Sequence, residues 1–162
     1  MNKFKTFLVL LISFILQTTI FSKIDIFGAN VNIIIPAIVA LSQVLGAKIG
    51  SYSALLVGLL EDFLLTDFMG VRALSYFLIG SFVGSERFDF SNDKPTGFLL
   101  TLFLSIFNFV LVTGIYFLLQ TQTGFRDYLP LPLLIESLIN SFIYLIFRSI
   151  VNKIMYIPTY RI

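Results

Sequence analysis

The chain has 162 residues, 57% hydrophobic and 12% charged, with a formal net charge of +2. A soluble domain carries roughly 25% charged residues, so a largely water-facing surface is excluded, and so small a net charge gives no basis for nucleic-acid binding. The absence of Cys, His and Trp excludes disulfides, thiol nucleophiles, histidine acid–base chemistry and most transition-metal sites.

The apolar residues gather into six nearly uncharged runs, which predicts an all-α membrane protein with six transmembrane helices. The expected arrangement is a single transmembrane domain over residues 1–162, with spans at about 4–21, 31–46, 49–65, 71–85, 98–119 and 130–150. The first run follows Lys3 and Lys5 and is succeeded by QTTIFSKIDIF, which lacks a small-residue cleavage site, so it reads as an uncleaved helix. The second is short and contains Pro36, tolerable where neighbouring helices satisfy the freed carbonyl. The third ends on the adjacent carboxylates Glu61 and Asp62, and a turn with Asp67, Gly70 and Arg72 leads into the short fourth run. A short segment can still cross where the bilayer thins. Residues 84–97, GSERFDFSNDKPTG, form a polar loop before the long fifth run. A second polar stretch, Gln120 to Tyr128, precedes the sixth run, which opens with Pro130 and Pro132 where a missing donor costs little.

With the N-terminus inside, the inner side holds Lys3, Lys5, Lys48, Arg87, Lys94, Arg148, Lys153 and Arg161, and the outer side Lys23, Arg72 and Arg126. That bias places both termini in the cytoplasm. A re-entrant second or fourth run would put them on opposite sides. Lys48, Arg87 and Lys94 most simply meet anionic lipid headgroups.

Polar stripes are expected to face other helices. They are Thr6, Ser13 and Gln17 in the first, Thr101, Ser105, Asn108 and Tyr116 in the fifth, and Glu136, Asn140, Tyr144 and Arg148 in the sixth. Small residues recur every four positions at Gly46, Gly50, Ala54 and Gly58, and again at Gly80 and Gly84. Such stripes let helix backbones approach closely, either within the bundle or toward another membrane protein.

Glu61 and Asp62 are the leading candidates for chemistry, but neighbours on a helix point about 100° apart and cannot share a proton as a pair. The expectation is structural: Asp62 or Asp67 accepts hydrogen bonds from the free amides of Gly70 to Arg72 at the start of the fourth helix. Arg72 either pairs with these acids or binds a lipid phosphate. Glu136 reads as a packing hydrogen bond to Asn108, Tyr116 or a carbonyl, or as part of a ligand or proton pathway. Ser51 follows Lys48 by three residues, a spacing expected by coincidence. No nucleotide loop, nucleophile elbow or metal-spaced cluster is present, and no cofactor is expected.

The order Gly58-Leu59-Leu60-Glu61-Asp62, Gly70-Val71-Arg72-Ala73-Leu74-Ser75-Tyr76 and Leu78-Ile79-Gly80 resembles the MreD family of rod shape-determining membrane proteins. The total length, the basic N-terminus and Pro36 are also similar. The resemblance implies a non-enzymatic scaffold of the bacterial cell-elongation machinery in the inner membrane. Its implied partners are MreC, MreB, and RodA with its transpeptidase, linking the cytoskeleton to peptidoglycan synthesis. It implies a six-helix bundle similar to the substrate-binding subunit of energy-coupling-factor transporters, with Asp62, Gly70, Arg72 and Gly80 as family positions.

Two other functions fit a chain of this kind. A vitamin-binding subunit of an energy-coupling-factor transporter tends to show Ala-x-x-x-Ala in the first helix, and this first helix has no Ala. An intramembrane enzyme on lipid-linked substrates would have only Glu61, Asp62 and Glu136 as catalytic acids.

Overall fold

The computed structural model describes residues 2–88, 90–119 and 130–155. These residues form six α-helices: α1 (Asn2–Thr19), α2 (Ile34–Leu45), α3 (Ala47–Leu65), α4 (Val71–Val83), α5 (Lys94–Leu118) and α6 (Leu131–Ile154). A short hairpin of β1 (Asp25–Ile26) and β2 (Ala29–Asn30) lies between α1 and α2. Phe27 and Gly28 form its two-residue turn, both with positive φ, as the tightest hairpins require. The predicted polar stretch Gln120–Tyr128, with Arg126, and the residues Asp89 and Arg161 lie outside the described residues.

The short second helix owes its length to its position. Residues Ile34 to Ser42 of α2 are all buried, and α2 packs against each of the other five helices. Its twelve residues extend about 18 Å, well short of a hydrocarbon core of about 30 Å. A helix sheathed in protein does not have to match the bilayer. Pro36 is no mid-helix kink: it is the third residue of α2, in the first turn, where an N–H would have no intrahelical acceptor. The amides of Ile34 and Ile35 beside it both donate to the Asn32 side-chain oxygen, at 3.0 and 3.4 Å.

The outer helices follow the opposite logic. The segments Lys3–Lys23, Lys94–Leu118 and Leu131–Ile154 are long and apolar enough to cross a membrane. Only 17% of the α5 window is buried, and it turns Phe103, Val110 and Phe117 outward. Helix α5 begins at Lys94 instead of Phe98, because Asp93 caps it by accepting from the Thr96 amide at 2.9 Å and Pro95 occupies its first turn. Helix α6 runs on past Ile150 to Ile154. Lys5 Nζ donates to the Ile154 carbonyl at 2.7 Å, so the described ends of the first and last helices meet at one end of the bundle.

Helices α3 and α4 form a tight antiparallel pair whose seam is the small-residue stripe. A Cβ on Gly58 would collide with the Ala73 backbone, and one on Gly84 with the Ala47 backbone. A Cβ on Gly80 would stand 2.9 Å from Gly50 C and Ser51 Cα. Gly50 in turn lies against Ser42 of α2. Gly50, Gly58, Gly80 and Gly84 are thus packed inside the bundle, whereas a Cβ on Gly46 would meet nothing within 4 Å. At one end of the pair the Ala47 amide donates across to the Gly84 carbonyl at 2.9 Å.

Candidate functional site

At the other end of the α3–α4 pair, the chain must turn within the five residues 66–70. Gly70 makes the last step into α4 with φ +98°, a conformation that suits glycine. The opening turn of α4 leaves backbone amides without helical acceptors. Asp62 supplies the acceptor. Its carboxylate receives the amides of Gly70 at 2.9 Å, Arg72 at 3.0 Å and Ala73 at 3.1 Å. Asp62 is fully buried in the last turn of α3. Of the two candidate acceptors, then, Asp62 takes the helix start, while Asp67 is exposed on the turn.

Glu61, one residue earlier, points elsewhere. One of its oxygens pairs with Arg72 Nη1 and the other accepts from the Tyr76 hydroxyl at 2.8 Å. Glu61 is 2% exposed and the Arg72 side chain 32%, so the pair has a buried end and a wetter end. Tyr76 is buried, and its hydroxyl also accepts from Asn32 Nδ2 at 2.9 Å. The Asn32 amide donates to Asn140 Oδ1 at 3.1 Å, and Asn140 Nδ2 donates to Ser105 Oγ at 3.1 Å. A continuous polar chain therefore runs Arg72–Glu61–Tyr76–Asn32–Asn140–Ser105, through α4, α3, the segment before α2, α6 and α5. Gln17 of α1 joins the same segment, accepting from the Ile33 amide at 2.9 Å and donating to the Val31 carbonyl at 3.0 Å.

The other predicted positions fall around this chain. Ser75 Oγ donates to Asn108 Oδ1 at 2.7 Å, joining α4 to α5. Glu136 is buried on α6, one turn before Asn140. The two glutamates lie on different helices, and Glu61 is committed to Arg72 and Tyr76. Ser51 is buried on the α3–α4 seam while Lys48 is exposed, so they form no pair. Among the described residues no group of three His, Cys, Asp or Glu could hold a metal.

A second polar clamp closes the opposite end. The Tyr144 hydroxyl donates to Gln43 Oε1, and Gln43 Nε2 reaches the Ser91 carbonyl at 3.3 Å. Arg148 Nη2 donates to the Asn92 carbonyl and side-chain oxygens at 2.9 and 2.7 Å. In the loop before α5, hydrogen bonds from Thr96 hold the Asp93 carboxyl below its ordinary range.

Asn32 in the polar chain and Gln43 in the second clamp are the members that the sequence does not single out. A lone Asn ahead of an apolar run signals a helix cap. Only the fold shows that it also joins Tyr76 to Asn140.

In comparison with known families, residues 2–154 match rod shape-determining protein MreD. The chain belongs to the MreD family. It is an all-α, multi-pass membrane protein with a role in rod shape determination. The MreD match covers the entire polar chain from Gln17 to Asn140 and both clamps. No curated protein and no solved structure matches the chain.

Proposed function

We propose that this chain is a non-enzymatic scaffold of the cell-elongation complex in the bacterial inner membrane. It binds MreC, a single-pass partner, and through it links MreB to RodA and its transpeptidase. One observation carries this reading: Glu61, Asp62 and Arg72 are spent on one another, on helix-start amides and on Tyr76. These three side chains, engaged in this way, fasten helices and are not free to act on a substrate. Both chain ends face the cytoplasm in this reading, as the excess of Lys and Arg at that end favours. The likeness to energy-coupling-factor subunits is proposed for the architecture alone.

The test is co-purification. MreC extracted from membranes in mild detergent with tagged protein is expected to be retained in stoichiometric amount. Clean recovery of the tagged, folded protein without MreC, and no contact in a two-hybrid assay, contradicts the scaffold.

A further inference from the structure

A groove of about 500 Å³ runs between α1 and α3, its walls almost wholly apolar. Leu10, Leu11, Leu56 and Leu60 line its length. Lys3 and Lys48, each in the first turn of its helix, line the end of the groove, and both are exposed. From Ile49 to Leu60 the wall of α3 rises about 17 Å at ~1.5 Å per residue. That is close to one leaflet of a hydrocarbon core about 30 Å thick. Apolar along one leaflet and cationic at the end, the groove has the polarity of an anionic phospholipid in reverse. A furrow of this volume takes a single acyl chain along its length, whereas a helix would set only side chains into it. Lys48 also borders a polar cavity of about 730 Å³ whose lining includes Ser42, Gln43, Asn92 and the oppositely charged Glu86 and Arg87. Among the described residues the buried Ser42 Oγ there has no hydrogen-bond partner. The cationic end of the groove therefore opens on polar surroundings that suit a headgroup.

We propose that the α1–α3 groove binds one anionic phospholipid, with an acyl chain along Leu11, Leu56 and Leu60 and the phosphate between Lys3 and Lys48. The probe is phosphatidylglycerol against phosphatidylcholine of the same chains, added to delipidated protein and read by native mass spectrometry. One phosphatidylglycerol per chain is expected to be retained, in about thirtyfold preference, the order that two lysines at about 1 kcal/mol each at a membrane surface support. Lys3→Gln with Lys48→Gln removes the preference at unchanged melting temperature, since both side chains are exposed. Leu56→Trp fills the groove and lowers retention of both lipids. Equal retention of the two lipids by the native chain overturns the proposal, as does undiminished preference in the double lysine variant. Because the chain has no Cys, Leu56→Cys gives a unique site for a photo-crosslinker in native membranes. Adducts of lipid mass support the proposal. Adducts to a polypeptide, whether a second copy or a partner helix, overturn it.

Discussion

Asp62 accepts three backbone amides that α4 cannot satisfy for itself. A buried donor left unpaired costs about 1–3 kcal/mol, so Asp62→Ala is expected to destabilise the protein by at least about 2 kcal/mol. A melting curve in detergent reads this, and an unshifted midpoint refutes the helix-start role. Asp62→Asn retains one acceptor oxygen and should lose clearly less. The Glu61–Arg72 pair gives an asymmetric expectation. Arg72→Ala strands a buried carboxylate, and breaking a buried pair from one side costs about 3 kcal/mol or more. Glu61→Gln leaves a guanidinium that is one-third exposed and can turn to water, so its cost is smaller. The same melting assay should rank Arg72→Ala below Glu61→Gln; the reverse order would show that the pair is not the buried fastening described. Asp93 gives the pH dependence. Its carboxyl is held down in the folded protein, so its contribution to the start of α5 is present above the ordinary value of 3.8. That contribution is lost as pH falls through the lowered folded value. Asp93→Asn should therefore flatten the stability–pH curve below about pH 4 and leave neutral pH nearly unchanged. The sequence could name Asp62 and Asp67 together but could not choose between them, because the choice depends on which carboxylate the turn folds over. Asn32 was hidden for a related reason: its partners Tyr76 and Asn140 lie 44 and 108 positions away.

Among the elements, glycines separate the seams from the lipid face. Gly58→Ala and Gly84→Ala push a methyl into the backbone of the facing helix, a clash worth about 1–3 kcal/mol. Gly114 on α5 has open space around it. Gly114→Ala should be neutral or stabilise by up to about 1 kcal/mol, since glycine is the weaker helix former. Parallel melts of the three variants test the contrast, and equal losses would deny that the α3–α4 seam is special. The long helices α1, α5 and α6 were legible because lipid-facing surface must be continuously apolar over a bilayer's thickness. The bounds of α2 were less so: its run included residues 31–33, which bind Gln17 and Asn140 ahead of the helix. Helix α5 starts four residues ahead of its apolar run, because a polar first turn projecting from the membrane reads as loop. The β1–β2 hairpin escaped notice because strands of two residues are too short to show alternation.

At the scale of the molecule, a short buried helix is gripped by five others, with a polar clamp at each end and apolar residues turned outward. Shape support in cells should then follow the amount of folded, inserted protein, because the internal charges act by fastening. The decisive measurement is complementation of cells lacking their own copy by Asp62→Asn and by Glu61→Gln with Arg72→Gln, scored as cell length to width against folded protein per membrane. Fastening predicts that both variants fall on one line with the unmodified chain, rods returning wherever the folded amount does. Round cells containing the normal amount of correctly folded, inserted variant would contradict it and assign the Glu61–Asp62–Arg72 cluster a direct part in the work.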